Sequence, residues 1–145
     1  MQEAKGNLWT FPAQARIITT NGTVKKDGTC VMGRGCASEA KSKYPDLPLM
    51  LGQAISGLGN EAFWFPMPSA NEPLISFPVK HNWWEKADLK LIQQSARKIV
   101  SMRALEHMVA IVMPRPGCGN GGLKWEDVKP VLEPILDDRF IAITF

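Results

Sequence analysis

Residues Val109–Trp125 read VAIVMPRPGCGNGGLKW. An apolar run (Val109, Ala110, Ile111, Val112, Met113) stops at Pro114, glycines follow at 117, 119, 121 and 122, and an amphipathic segment opens at Trp125. A short β-type run, then glycines, then a helix aims bare backbone N–H groups at an anion, usually a phosphate. Glycine lets the backbone approach a ligand closely and take positive φ. The competing reading is a glycine-rich surface turn with no ligand. Gly117, Gly119 and Gly122 satisfy GxGxxG, but that fingerprint belongs at the first strand–helix turn of a βαβ unit, with a ribose-binding acid further on. Only one helix and one strand fit between this loop and Phe145. A P-loop fails as well, because Leu123 follows Gly122 where lysine and then serine or threonine are needed.

A second turn repeats the logic. Val31-Met32-Gly33-Arg34-Gly35 precedes a helical pattern at Cys36, Ala37, Ala40 and Tyr44, so N–H groups near Gly33 and Gly35 can face an anion. Arg34 either adds a charge-assisted bond or is an exposed arginine. Two such turns can grip the two ends of a diphosphate. In open α/β sheets the ligand crevice lies beyond the strand C-termini, where such loops sit.

Elsewhere strands and helices alternate. Arg16–Thr20 reads as a short buried strand ending at an Asn21-Gly22 turn. Pro45 stops the first helix, and Asp46 can cap a second that carries Leu47, Leu51, Ala54, Ile55 and Leu58 and closes at Gly57 and Gly59. Ala62–Met67 and Leu74–Val79 read as two strands joined by a Ser69–Pro73 turn, with Pro66 and Pro78 placing them at edges or near their ends. Asp88 is the expected N-cap of the longest helix, whose stripe is Leu89, Ile92, Ala96, Ile99 and Val100. The last helix carries Trp125, Val128, Leu132 and Ile135, with Pro130 and Pro134 delaying its start or kinking it, and Phe140–Phe145 is a closing strand. The alternation predicts an α/β sandwich with a mainly parallel central sheet.

Composition bounds the function. The 145 residues are 45% hydrophobic, enough for one domain spanning 1–145, with no internal repeat or low-complexity divider. A net charge of +3 suits an anionic ligand and falls short of a nucleic-acid-binding stripe. The three cysteines (Cys30, Cys36, Cys118) lack CxxC spacing and the two histidines are far apart, so no metal site is indicated and no cofactor is expected. The N-terminal MQEAKGNLW has no signal-peptide core and no apolar run could span a bilayer, so the expectation is a cytoplasmic protein with free thiols and no membrane partner.

Together these residues resemble the macrodomain family, an ADP-ribose-binding three-layer α/β/α sandwich with a mixed, mainly parallel sheet. The resemblance covers nearly the whole chain. Gly6-Asn7-Leu8-Trp9 is similar to the opening glycine–aspartate–hydrophobic motif, Thr20-Asn21 to the asparagine after the next strand, Val31–Ala37 (VMGRGCA) to the first ligand loop and Gly117–Leu123 (GCGNGGL) to the second. Ile75–Trp83 (ISFPVKHNW) and the PxxGCGNGGLxWxxVKP form of Pro114–Pro130 resemble the antitoxin macrodomains paired with DNA ADP-ribosylating toxins. The terminal ADP-ribose protein glycohydrolase is the other similar branch. Asn7 stands where the family usually has aspartate. The second loop has Asn120-Gly121-Gly122 where glutamate-deconjugating relatives carry an aspartate, as the antitoxin branch also lacks.

The resemblance implies contacts to ADP-ribose from Asn7 and Leu8 near the adenine, and from Thr20 and Asn21 near the distal ribose. It implies further contacts from Met32, Gly33, Arg34, Gly35 and Ala37 in the first loop. The second loop would add Pro116, Gly117, Cys118, Gly119, Asn120, Gly121, Gly122 and Leu123. It makes Lys80 catalytic, releasing ADP-ribose from a nucleobase or other acceptor, DNA included, by a monomeric protein. Read by itself, Lys80 is either a solvated lysine at a loop start or a partly desolvated amine able to act as nucleophile or base. A Cys118–His81 pair is the less favoured nucleophile, and Glu126 and Asp127 read as complements to a helix dipole. A module that binds ADP-ribosyl compounds without cleaving them, and a phosphatase acting on ADP-ribose 1''-phosphate, are the rival functions.

Overall fold

Near-continuous apolar runs form the central strands of the sheet in the computed structural model, which describes residues 1–67 and 72–144. Six strands are present: β1 (Gln2–Lys5), β2 (Ala15–Asn21), β3 (Phe63–Phe65), β4 (Leu74–Lys80), β5 (Ile111–Met113) and β6 (Phe140–Thr144). They form one sheet in the order β1-β6-β5-β2-β4-β3. All neighbours are parallel except β3 against β4. The helices are α1 (Gly35–Lys43), α2 (Leu47–Leu58), α3 (Leu89–Val100) and α4 (Trp125–Leu132).

Side chains of the central strands feed a core on each face of the sheet, with a smaller cluster of Leu8, Val112 and Ile143 beside them. Ile17, Ile75, Phe77, Ile111 and Phe140 meet Ile92, Ala96 and Ile99 of α3 and Val128 and Leu132 of α4. Ile18 and Leu74, on the opposite face, meet Ala37 and Ala40 of α1 and Leu47, Leu51 and Ile55 of α2. Helices on both faces of a mainly parallel sheet make the expected α/β/α sandwich.

Several expectations need adjustment. β1 was not foreseen: it is a polar edge strand on β6 with mostly exposed residues, so it carries no hydrophobic alternation to read. β3 shrinks to three residues. β4 and β2 each run one residue further than expected, so Asn21 ends a strand instead of forming a turn. Pro78 lies inside β4, but β3 covers only Leu74–Ser76, so beyond that point the outer side of β4 is free of the sheet. Asp46 holds the N-cap position of α2 without a side-chain capping bond, since its backbone is already helical, whereas the Asp88 side chain accepts from the Lys90 N–H as expected. Tyr44 is the C-cap of α1, not a helical residue. α4 starts on time at Trp125, accommodates Pro130, and ends before Pro134, leaving Ile135 in a turn against the core. Residues 69–71 of the Ser69–Pro73 turn, and Phe145, lie outside the described residues.

One buried charge organises the N-terminal loop. Arg16 of β2 is 7% exposed. Its guanidinium donates to the Leu8 carbonyl at 2.6 Å, to the Phe11 carbonyl at 2.8 Å and to Glu72 Oε2 at 2.9 Å. Removing it strands two carbonyls and a carboxylate, and charged hydrogen bonds of this kind contribute about 1.5–3 kcal/mol each. Arg16→Met is therefore expected to lower the denaturant-unfolding free energy by roughly 2–4 kcal/mol; an unchanged midpoint would show that the loop holds without it.

Candidate functional site

Because β1, β2, β4, β5 and β6 run parallel, their C-termini open onto one edge of the sheet, and a cleft of about 1030 Å³ lies there. Leu8 and Trp9, the C-terminal ends of β2, β4 and β6, the segment leading into α1, and the loop after β5 line it.

The two glycine turns face each other across this cleft. A Cβ built on Gly35 would lie 3.4 Å from Asn120 Nδ2, so the loops are in near contact. α1 begins without a side-chain cap, leaving the N–H groups of Gly35, Cys36 and Ala37 without a protein acceptor among the described residues. The second loop folds on its own backbone: Leu123 N donates to Gly117 O at 2.9 Å, Gly122 N to Gly119 O at 3.1 Å, and Cys118 N to Arg115 O at 3.2 Å. Gly117 and Gly122 each take φ of 76°, the left-handed region that glycine occupies freely. The N–H groups of Gly119, Asn120 and Gly121 have no acceptor among the described residues. Two sets of free donors on opposite lips suit a diphosphate.

Lys80 joins the same cleft from the end of β4, at an irregularity in the sheet. The β2–β4 register runs Thr20 opposite Pro78 and then Asn21 opposite Lys80, so Val79 is an extra residue. Such a bulge bends the strand and redirects the side chains that follow it. The Lys80 backbone is pinned by its pairing and by Asn60 Nδ2, which donates to its carbonyl at 3.0 Å; the next residue, His81, accepts from Gly22 N at 3.2 Å. The Lys80 side chain lines the cleft, and Nζ donates to the Trp83 carbonyl at 3.3 Å.

Of the expected site residues, Leu8, Thr20, Asn21, Met32–Gly35, Ala37, Lys80, Gly117–Gly121 and Leu123 line this one cleft. Asn7, Pro116 and Gly122 are not among its lining residues. Asn7 shapes the turn beneath: its Oδ1 accepts from Trp9 N at 2.8 Å, and its carbonyl accepts from Thr10 and Phe11 N. The Asn21 amide is also engaged, donating to Val31 O at 3.0 Å and accepting from Thr23 N at 3.0 Å, so it braces the first loop.

Sequence reading passed over Trp9, Thr19, Arg115, Trp125 and Thr144 as lining residues. Arg115, between Pro114 and Pro116, stacks on Trp125 with 5.0 Å from its guanidinium to the ring centroid and lies 3.4 Å from Glu3 Oε1. Lys129 at 2.7 Å, foremost, and then the Trp125 indole N–H at 2.8 Å hold the Glu3 carboxyl below its ordinary range. Thr144 could have been found from topology alone, since it ends a parallel strand next to the loop-bearing β5.

Burial disfavours the thiolate at all three cysteines. Burial pushes Cys30 up to about 12 and raises Cys36 and Cys118 above the ordinary thiol range. His81 Nε2 lies 2.8 Å from Asp88 Oδ2 and is not in the cleft wall, so a Cys118–His81 pair is not assembled. Glu126 and Asp127 occupy the first turn of α4, where they complement its dipole. Among the described residues no group of three or more His, Cys, Asp or Glu could hold a metal ion, and no helix is long and apolar enough to cross a membrane.

No family profile matches the sequence. The chain is similar to the Thermus aquaticus DNA ADP-ribosyl glycohydrolase, 28% identical over 141 residues that cover 92% of this chain and 37% of that protein. The chain thus spans little more than a third of the length of the curated relatives it matches. Among solved structures, the macrodomain of Mycobacterium tuberculosis DarG superposes with a TM-score of 0.82 at 25% identity, covering 98% of this chain and 95% of that one. Thermosipho africanus DarTG in complex with ADP-ribose gives 0.83 at 24% identity, covering 99% of this chain and 41% of that one.

The glycines of the second loop differ in what a side chain would meet. A Cβ at Gly119 has nothing within 4 Å, whereas at Gly121 it would meet Gly117 O at 2.5 Å and Ala87 Cβ at 2.8 Å. Thermal melting should leave Gly119→Val near wild type and lower the Gly121→Val midpoint by roughly 3–10 °C. Equal midpoints would contradict the tight backbone packing at Gly121.

Proposed function

The chain has the macrodomain fold, and from that premise we propose that it binds ADP-ribose in the cleft and hydrolytically releases it from a conjugate, with a DNA base as the favoured acceptor and Lys80 as the catalytic residue. The observation that carries this reading is the shared cleft: two opposed sets of free N–H donors, with Lys80 at the end of β4 lining the same cleft. The likeness to proteins named DNA ADP-ribosyl glycohydrolase, and to a DarTG structure holding ADP-ribose, supports the substrate class.

In this reading the free donors of Gly35–Ala37 and Gly119–Gly121 take the diphosphate. Their hydrogen bonds to an anion are the stronger, charge-assisted kind. The apolar wall of Leu8 and Ile143 accepts the adenosine end. The distal ribose then meets Lys80, and a neutral amine there can attack the anomeric carbon or take a proton from attacking water. When water attacks, its oxygen bonds to the anomeric carbon as the bond to the base breaks, and the proton Lys80 took from it passes to the departing base. When Lys80 itself attacks, the proton its amine sheds goes to the base, and water then hydrolyses the lysine–ribose adduct, restoring the amine. The Trp83 carbonyl accepts from Nζ and so fixes where the amine sits.

Calorimetry should show ADP-ribose binding, with AMP weaker for want of the second phosphate and distal ribose. Gly119→Val should lose ADP-ribose while keeping its fold, because the new side chain projects into open space at the loop crest. Absence of ADP-ribose binding at millimolar concentration would overturn the ligand assignment.

Lys80→Ala should bind ADP-ribose normally yet release it from an ADP-ribosylated oligonucleotide orders of magnitude more slowly, as expected when a group acts mainly in the transition state. Lys80→Arg should fail too, since a guanidinium stays protonated. Equal release by wild type and Lys80→Ala would remove Lys80 from catalysis. Binding without release from any conjugate would make the protein a reader of ADP-ribosyl groups instead.

A further inference from the structure

We propose that Trp83 and Trp84 form a stacking platform at the cleft rim for the unpaired base next to the ADP-ribosylated one in single-stranded DNA. This rests on the DNA-linked reading above and adds to it a surface outside the ADP-ribose pocket.

Both indoles are unusually open to solvent: Trp83 is 49% and Trp84 64% exposed. Their ring centroids lie 6.0 Å apart at 88°, so each presents a face that the other does not cover. Large aromatic side chains generally gain from burial, and a pair left bare on a well-held turn calls for a partner. The turn is firmly held. Trp83 N donates to Thr23 Oγ1 at 3.0 Å, Asn82 Nδ2 donates to Glu85 Oε1 at 2.7 Å, and Glu85 N donates to Asn82 O at 3.1 Å. A rigid platform costs little ordering entropy on binding.

Its position suits the acceptor side of the reaction. Trp83 belongs to the cleft wall and its carbonyl holds Lys80 Nζ, whereas Trp84, the next residue, is outside the lining. Lys80 and Trp83 share one end of the cleft, so whatever is bonded to a distal ribose beside Lys80 lies next to this rim. The charges beside it suit a phosphodiester strand. Lys25 lines the cleft, Lys26 is exposed beside it, and the Lys86 side chain runs along Gly122, 3.6 Å from where a Cβ there would be. Asp27 and Glu85 are the acidic neighbours in these two segments, and Glu85 is already bonded to Asn82.

A base conjugated to ADP-ribose cannot reach Lys80 from inside a duplex stack. In a single strand its neighbour is free to stack on an indole, a contact that tolerates any base sequence. The platform would therefore select for strand state and not for sequence.

The test compares wild type, Trp84→Ala and Trp84→Phe on an ADP-ribosylated single-stranded oligonucleotide and on the same ADP-ribosylated nucleoside without neighbours. Trp84→Ala should raise KM for the oligonucleotide roughly tenfold with kcat unchanged, leave the nucleoside reaction as it was, and be rescued by Trp84→Phe. Equal oligonucleotide KM for wild type and Trp84→Ala would overturn the platform, as would an equal loss on both substrates. If wild type cleaves neither substrate, the glycohydrolase reading falls by itself. The platform is then decided by fluorescence anisotropy with an unmodified labelled oligonucleotide: weaker single-strand binding by Trp84→Ala, with duplex binding unchanged, supports it, and no change overturns it.

Discussion

Backbone N–H groups without acceptors at one edge of the sheet are the feature on which the site depends. A protein seldom leaves such donors unpaired where water is partly excluded, because each carries a desolvation cost. Here they occur in two places, at the uncapped start of α1 and at the crest of the loop after β5, and the parallel strands bring both to the same cleft. The helix dipole at α1 adds partial positive charge to one lip. In the proposed reading the middle of the ligand is its anionic part, and these donors meet it there.

The remaining architecture serves to keep those donors aimed. Asn21 spends both ends of its amide bracing the first loop, and Asn7 spends its oxygen on the turn beneath Trp9. Gly121 packs its backbone on Gly117 and Ala87, which fixes the second loop against the start of α3, where Ala87 N donates to Gly121 O at 2.9 Å. Arg16 ties the N-terminal loop to β2. The bulge at Val79 lies immediately before Lys80, which lines the same cleft. Preorganisation of this kind means that a ligand meets donors already in place instead of having to order them.

Much of this was legible in the sequence because its physics is local. β2, β4, β5 and β6 announce themselves as apolar β-branched runs, α3 shows its stripe, and the two glycine turns stand out from their flanks. What escaped was set by neighbours distant in the chain. β1 has no alternation because it is an edge strand with two wet faces. Arg16 reads as an oddity in a buried strand until Leu8, Phe11 and Glu72 are seen around it. Gly119 and Gly121 look interchangeable in sequence, yet one points into open space and the other into backbone. The partners of Arg115, and the extra residue in β4, depend on pairing that no single segment encodes.

The claim that both lips and Lys80 serve one ligand is tested most directly by a crystal structure of Lys80→Ala with ADP-ribose. The diphosphate should contact the N–H groups of Gly35–Ala37 on one side and Gly119–Gly121 on the other, with the anomeric carbon of the distal ribose beside residue 80. A diphosphate held by only one loop, or a distal ribose directed away from residue 80, would contradict the account.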